Sequence, residues 1–563
     1  MLDIVLLSVD YTTALDPGFK WLPALTVVLM MVLFLGIGWF FRVAAVDDLW
    51  VAGRSIGPIE NGMAIGANWM SAASYLGVSA LVATMGYFGL AYVVGWTAGY
   101  FILLIFMASQ FRRFGKYTAP DFIGDRFYSE RARGIAAVTT LVIAFVYAIG
   151  QGSGMGLMAQ YILGLSYEMG VIIFMGVTVG YVALSGMLGA TKNMAVQYVI
   201  LMFAFLMGLY AIGWTQGWAV AMPYAEFGPQ MAELIDEFDR QFAEPFAHGG
   251  FYHWMALTLS LILGTCGLPH VLVRFYTVDN EKTARWSTVW GLFFICLLYW
   301  GTTTYAVYGG LLYSNPEQAT DTAVTLGEAA TFMSMPGADA DALVALTAQL
   351  ADLPEWLVGF VAAGAVAAAL ATTAGLFISA SSAAAHDIYT NLYKEEATQQ
   401  EQLVVARLTI LGIGILVTLV ALNPPALIGE LVAMSFAIAA CVFFPVFFLG
   451  LWWEGTTREG ALSGMGVGLF ISIGAIINAT VPEYTDLLPG DELVPWLAEW
   501  MPPTSTALVG VPVVFLVIIA VSKVTDDPPE EIKRMVRQCH SPMTMDGDQS
   551  AEDAVSQSDS EEA

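Results

Sequence analysis

The segment AAGAVAAALATTAGLFISASSAAAHDIYTN, residues 362–391, is the stretch of this chain that decides its fold. It predicts a long apolar helix whose polar atoms are mainly hydroxyls, with the adjacent pair Thr372 and Thr373 near its middle. Two neighbouring hydroxyls and a carbonyl a few residues earlier are hard oxygen ligands, which suit a small dehydrated cation such as Na⁺. The same hydroxyls could instead donate to the carbonyl one turn earlier. On this segment alone both interpretations are open.

Composition places the chain in a membrane. Of 563 residues, 57% are hydrophobic and 12% are charged, whereas soluble domains carry about 25% charged residues. Repeated apolar runs of about 20 residues therefore predict an all-α polytopic membrane protein. The four cysteines are scattered, so we expect neither a disulfide nor a metal site from them. A net charge of -27 argues against nucleic-acid binding.

The hydropathy pattern predicts thirteen spans with an orientation set by the basic residues. With the N-terminus outside, every lysine and arginine except Lys20 and Arg240 falls on the inner side, as the positive-inside rule requires. We therefore expect a multi-pass protein of the bacterial cytoplasmic (inner) membrane with its C-terminus in the cytoplasm. The approximate spans are 22–41, 59–82, 88–109, 134–163, 168–189, 194–217, 252–273, 286–313, 355–386, 402–421, 426–450, 459–480 and 503–522.

Two spans contain helix-breaking residues. They are the second, with GPIENGMAIGANWMSAASYLG at 57–77, and the seventh, with LILGTCGLPHVLVRF at 261–275. Glycine and proline weaken a helix, and unwound backbone at membrane depth requires cover from protein or a water-filled cavity. Because the two spans are five apart, they predict inverted repeats that each open with a discontinuous helix, the arrangement that binds solute near the bilayer midplane. The alternative is that these glycines only allow close helix packing.

The resulting organisation has seven parts. They are an external N-terminus (1–21), an extra first helix with its loop (22–58), the first five-helix repeat (59–217), an acidic external loop (218–251), the second repeat with an acidic loop at 314–354 (252–450), two additional helices (451–524), and an acidic tail predicted to be disordered (525–563).

Four stretches resemble the sodium:solute symporter family, and most closely its branch of bacterial cation/acetate symporters. They are residues 48–90, 181–202, 264–278 and 371–389, and the patterns GLPH-x-x-x-RF-x-TV and SS-x-x-x-HD-[IL]-Y are typical of that branch. The resemblance implies an inverted 5+5 repeat of the leucine-transporter type with an extra N-terminal helix. It also implies a Na⁺ site made of carbonyls on the first broken helix and oxygens on the long helix of the second repeat: Ala67, Met70, Ala369, Thr372 and Thr373.

The solute site is expected where the broken helices meet. A small monocarboxylate such as acetate, propionate or pyruvate would be held by helix N-termini, hydroxyls and the nearby Na⁺. His270 contacts the carboxylate in one interpretation and is a structural histidine in the other, and His386–Asp387 is expected to cap span nine. The candidate solute ligands are Asn68, Ser71, Ser74, Tyr75, Gln151, Thr265, Gly267 and His270.

The predicted function is secondary active symport of Na⁺ with a small organic anion across the lipid bilayer. The motifs leave open another solute (proline, a sugar or a longer organic acid), a solute sensor that acts through a partner, and a separately encoded small membrane subunit. An enzyme is not expected, because the sequence shows no nucleophile–base pair, metal cluster or phosphate loop.

Overall fold

We describe the protein from a computed structural model that covers residues 19–42, 50–218, 228–232, 235, 243–314, 340–484 and 494–541. The described chain is helical. The α-helices are α1 (Trp21–Phe40), α2 (Pro58–Trp69), α3 (Val78–Met85), α4 (Leu90–Ile102), α5 (Ala108–Phe114), α6 (Ala119–Arg126), α7 (Glu130–Met158), α8 (Tyr167–Thr215), α9 (Gly250–Thr265), α10 (Pro269–Leu272), α11 (Glu281–Ser314), α12 (Leu343–Leu350), α13 (Glu355–Ser382), α14 (Gln399–Ala421), α15 (Ile428–Trp452), α16 (Arg458–Tyr484), α17 (Pro495–Trp500), α18 (Ala507–Val524) and α19 (Glu530–His540).

Within the described residues, ten helices are long and apolar enough to cross a membrane, and the bent pair α9–α10 makes an eleventh. Two of the ten, over 73–114 and 167–215, contain 42 and 49 residues. At 1.5 Å per residue they would extend for about 63 and 74 Å, roughly twice the thickness of the hydrocarbon core. Each is interrupted by a glycine with positive φ, Gly86 at 57° and Gly186 at 54°. The all-α polytopic fold is confirmed, and the count of thirteen spans stays a prediction.

Both expected helix breaks are present. Helix α2 ends at Trp69, and Met70 leaves the helical region with ψ at 66°. Helix α9 ends at Thr265, and Leu268 is extended (φ -74°, ψ 118°) before Pro269 starts α10. The two halves of this second helix meet at 46°. The sequence reason is that proline lacks an amide hydrogen and fits the first turn of a new helix.

Helix α13 forms the centre of the molecule. Its most apolar 18-residue window is completely buried, and it packs against α8, α7, α1 and α2. Its many alanines have small side chains, so neighbouring backbones approach it closely. The hydroxyl pair of the opening segment therefore lies in the interior of the helix bundle.

The C-terminal part of the chain differs from the prediction. Residues 525–541 are expected to be disordered, but α19 is a helix that docks on the bundle. The Arg113 guanidinium donates to the Cys539 carbonyl (3.0 Å), and the His540 ring bonds to the Leu451 carbonyl (2.8 Å). The physical reason is an apolar stripe of Ile532, Val536 and Cys539, which buries one face of an otherwise charged helix. Residues 542–563 lie outside the described part.

A charged cluster joins α6, α7 and the end of α13. Arg133 forms ion pairs with Asp121 and Asp125, both at 2.7 Å, and the ring of His386 lies 3.0 Å from Asp121. The fully buried Asp387 adjoins this group. The expectation that His386–Asp387 caps span nine is therefore wrong: the helix continues in π form to Tyr393. His386 instead contacts Asp121 of α6.

Replacement of Arg133 by glutamine should lower the stability of the protein by about 3–5 kcal/mol, because it leaves buried carboxylates without their main cation. Burial alone would raise the pKa of Asp121, but His386 and Arg133 outweigh burial and hold that pKa below its usual value. The contribution of this carboxylate to the stability of the folded protein is therefore present above the pKa that it has in the unfolded chain. This contribution is lost as the pH falls below about 4.

Thermal melting of detergent-purified protein at neutral and acidic pH checks this prediction. Arg458→Gln is the matched control, because Arg458 forms an exposed pair with Glu459, and exposed ion pairs contribute little to stability. Equal melting temperatures of the two variants at pH 7 would contradict the stabilising role of Arg133.

Candidate functional site

The break after α2 redirects three backbone amides. The Ser71 amide donates to the Trp69 carbonyl (2.7 Å), the Ala72 amide to Gln151 Oε1 (2.8 Å), and the Ser74 amide to Ser71 Oγ (3.3 Å). In a regular helix each amide would reach the carbonyl four residues earlier. The carbonyls that lose these donors belong to Ala67, Asn68 and Met70.

The two threonines of α13 use their hydroxyls differently. Thr373 Oγ1 donates to the Ala369 carbonyl one turn earlier, at 2.8 Å. Thr372 Oγ1 donates across the bundle to the Asn68 carbonyl, also at 2.8 Å. Both threonines are completely buried. One hydroxyl of α13 thus lies directly against one of the carbonyls that lose their helical donor at the break in α2, and Asn68 is the residue through which the two helices meet.

The approach of the two helices depends on small residues. A Cβ atom on Gly375 would lie 2.1 Å from Asn68 Oδ1, which is closer than atoms can pack. On the opposite side of α13, the Tyr181 hydroxyl donates to the Leu370 carbonyl (3.0 Å). This leaves the hydroxyl pair fixed between α2 and α8.

The predicted solute ligands divide into two groups. Asn68, Ser71, Ser74, Gln151 and His270 gather around the break in α2, where Asn68 Nδ2 donates to the His270 carbonyl (3.4 Å). Ser74 Oγ contacts the Tyr299 hydroxyl (2.8 Å) as well as the Trp69 carbonyl (3.1 Å). The others serve packing: the Tyr75 hydroxyl donates to Val361 (3.2 Å), Thr265 to Leu261 (2.8 Å), and Gly267 lies against the Ala439 backbone.

His270 is completely buried at the second break. Its ring packs edge-on against Tyr147, with ring centroids 5.3 Å apart. Its Nε2 atom has no hydrogen-bond partner among the described residues, and the same is true of Asn68 Oδ1 and Gln151 Nε2. Buried polar atoms are normally satisfied, so three unpaired atoms around the two neighbouring breaks are typical of a place where a ligand binds.

The aromatic wall of this site is not predicted by the sequence patterns. Trp69 lies edge-on to Tyr100 (4.8 Å between ring centroids) and to Phe436 (5.4 Å), while Trp96 stacks on Tyr299 (6.4 Å). These residues come from four different helices. Aromatic residues are common in any membrane span, and only the position of Trp69 directly before the break could have indicated this role.

Comparison with known proteins identifies the family. The family model of the sodium:solute symporter family matches residues 49–468. The chain belongs to the sodium:solute symporter family. It is 31% identical to the uncharacterized symporter YwcA of Bacillus subtilis, over 81% of this chain and 86% of that protein. It is 27% identical to the uncharacterized symporter H16_A2524 of Cupriavidus necator, over 92% of this chain and 93% of that protein.

A solved structure shows the fold of this symporter. The substrate-bound, outward-open structure of a Na⁺-coupled sialic acid symporter superimposes with a TM-score of 0.68, covers 91% of this chain and 99% of that one, and shares 16% sequence identity. The leucine-transporter type of fold is therefore confirmed. The protein is a multi-pass membrane transporter of a Na⁺-coupled family and not an enzyme.

Proposed function

We propose that this symporter couples inward Na⁺ movement to the uptake of a small monocarboxylate such as acetate by alternating access, across the bacterial cytoplasmic membrane with the N-terminus outside. The observation that carries the proposal is the contact of Thr372 Oγ1 with the Asn68 carbonyl at 2.8 Å. It places a proposed ion ligand of α13 against the broken helix whose polar atoms are the candidate solute ligands. Binding of Na⁺ at this contact would therefore change the conformation of the broken helix as well as the ion ligands.

The ion would be held by five neutral oxygens. They are the carbonyls of Ala67, Met70 and Ala369 and the hydroxyls of Thr372 and Thr373. The redirected amides support this assignment, because they free the Ala67 and Met70 carbonyls. The acidic residues of α2 and α13 are confined to the first turns of these helices, at Glu60 and Glu355. A site without a buried carboxylate avoids a large cost at membrane depth and releases Na⁺ readily inside.

A short carboxylate fits the remaining groups. Among the described residues, Gln151 Nε2 at the first break and His270 Nε2 at the second have no hydrogen-bond partner. The rings of Trp69 and Tyr147 provide an apolar surface for a methyl or ethyl group. Small-molecule sites commonly combine a few such polar groups with an aromatic lining. The space between broken helices is also where half-helix dipoles favour an anion.

One Na⁺ per monocarboxylate moves no net charge. The membrane potential then contributes no driving force for uptake. A tenfold Na⁺ gradient supplies about 1.4 kcal/mol, which is enough for tenfold accumulation of the solute. A second Na⁺ would add about 2.3 kcal/mol per 100 mV. We expect one Na⁺ per solute molecule, because the freed carbonyls of Ala67 and Met70 support a single ion site.

Competition for labelled acetate uptake into proteoliposomes tests the choice of solute. Propionate and pyruvate should inhibit at concentrations similar to that of unlabelled acetate, because they share the carboxylate and a short apolar chain. Glucose should not inhibit because it has no carboxylate, and proline should not inhibit because a charged ammonium group accompanies its carboxylate and would have to be buried without a partner. Inhibition by proline or glucose but not by propionate would reject the monocarboxylate assignment and leave the family intact.

A further inference from the structure

Arg274 lies directly after the second broken helix, in the short 3₁₀ turn Val273–Phe275. The hydropathy pattern places it in an inner loop, but the structure buries it almost completely, with 1% of its surface exposed. An ionised side chain that is removed from water requires strong partners. The identity of these partners therefore indicates what the arginine is for.

The guanidinium of Arg274 has weak partners. Nη1 donates to Thr191 Oγ1 (2.9 Å), Nη2 contacts Met194 Sδ (2.7 Å), and Nε has no partner among the described residues. A thioether sulfur is a poor acceptor. Nor does any carboxylate within the described ranges form an ion pair with Arg274; the charged pairs there involve other residues. Its positive charge is therefore not balanced by any carboxylate of the described residues.

Arg126 shows how this chain satisfies a buried arginine that has a purely structural role. It is equally buried, and its guanidinium donates to three carbonyls near the end of α15. They are those of Gly450 (2.7 Å), Trp453 (3.0 Å) and Thr456 (3.3 Å). Arg126 therefore needs no ligand, whereas the fork of Arg274 keeps donor capacity that nothing in the described chain uses.

Arg274 lies nearer to the predicted cytoplasmic end of α2 than the proposed Na⁺ and solute region does. Its carbonyl accepts from Asn61 Nδ2 (3.0 Å), and Asn61 precedes Asn68 by seven helical residues, or about 10 Å. The phenol of Tyr181, which bonds to the Leu370 carbonyl of α13, lies near the guanidinium. On α8, Gln197 follows Met194 by three residues, and its side chain lies close to the Tyr181 hydroxyl. Polar groups thus continue from the centre toward the end of α2 that is predicted to be cytoplasmic.

We propose that Arg274 is an exit-side anion subsite, which receives the carboxylate of the transported solute between the central site and the cytoplasm. This inference rests on the proposed monocarboxylate function. A guanidinium binds a carboxylate through two parallel hydrogen bonds, which would replace the sulfur contact and use the free Nε–H. The solute carries the counter-charge, so the subsite is electrically balanced only while it is occupied.

The test compares half-saturation constants on the two faces of reconstituted, oriented protein. In Arg274→Gln the constant for acetate at the cytoplasmic face should rise roughly tenfold to hundredfold, the usual effect of losing a charged hydrogen bond. The external constant and the Na⁺ requirement should stay within about twofold. Arg274→Lys, which keeps the charge but loses the fork, should fall between wild type and Arg274→Gln and guards against misfolding of the neutral variant.

The control is Arg126→Gln, which should lower the melting temperature and leave both half-saturation constants unchanged. Equal constants in wild type and Arg274→Gln would overturn the subsite, as would an effect that is seen in chloride and disappears in sulfate medium, which would assign the charge to chloride. If the wild-type protein transports no carboxylate at all, the proposed function fails together with the subsite. A normal wild type with an unaffected Arg274→Gln rejects the subsite alone.

Discussion

In Thr373→Ala, the Na⁺ concentration needed for half-maximal uptake is expected to rise at least tenfold, with the protein still folded and inserted. The substitution removes one of the five oxygens proposed to hold the ion, and the loss of a hydrogen bond or ligand to a charged group is worth about 1.5–3 kcal/mol. Among the described residues, this hydroxyl bonds to the Ala369 carbonyl alone, in its own helix. Its removal therefore costs little packing. Uptake of labelled solute at rising Na⁺ measures the effect.

Thr178→Ala is the matched control. Thr178 is a completely buried threonine of α8 whose hydroxyl donates to the Phe174 carbonyl four residues earlier, at 2.8 Å. It repeats the local bond of Thr373 at a position far along the chain from the break after α2 and from the break between α9 and α10. The Na⁺ concentration that the Thr178→Ala variant needs for half-maximal uptake should equal that of wild type. If Thr373→Ala behaves like this control, the hydroxyl pair of α13 has no role in Na⁺ binding.

Gly267→Ala is expected to reduce the initial uptake rate at least tenfold. A Cβ atom there would lie 2.3 Å from the Ala439 carbonyl oxygen and 2.8 Å from its carbon, and this backbone of α15 has no rotamer by which to move aside. Overpacking of this kind costs about 1–3 kcal/mol. The broken helix must shift away from α15 instead, which displaces His270 from the site.

Gly412→Ala provides the comparison, because a Cβ atom at this position of α14 would meet nothing within 4 Å. Alanine favours a helix over glycine by about 1 kcal/mol, so this variant should be as active as wild type and at least as stable. Uptake is measured at equal amounts of reconstituted protein. Full activity of Gly267→Ala would show that the break does not have to sit tightly on α15.

Periodicity and composition were sufficient to predict much of the fold. Long apolar runs imply membrane helices, and Gly267 and Pro269 predict where the seventh span breaks, because these residues act locally on the backbone. In the second span the glycines predict an interruption, but Pro58 starts α2 and the break itself lies at Met70. The adjacent hydroxyls of Thr372 and Thr373 likewise indicate an oxygen-rich point in an apolar helix. Each of these signals is carried by residues that are neighbours in sequence.

The rest depends on contacts between distant residues. That Thr372 reaches Asn68 follows from how α2 crosses α13, and no local pattern encodes this crossing. The hydropathy pattern ends the seventh span just before Arg274 and so predicts that this residue lies in a loop. It is buried because it packs against α8, some 80 residues earlier in the chain. Helix α19 has the composition of a disordered tail, and its apolar stripe is too short to stand out without the surface that it covers.

The central claim is that a Na⁺ gradient drives accumulation of a short carboxylate through this protein. The most direct measurement is labelled acetate uptake into proteoliposomes with an inward Na⁺ gradient, an equal K⁺ gradient, and a Na⁺ gradient collapsed by an ionophore. The account predicts transient accumulation above the external concentration with the Na⁺ gradient only, and none in empty liposomes. Equal uptake under all three conditions, or no acetate uptake together with Na⁺-dependent uptake of another solute, would contradict it.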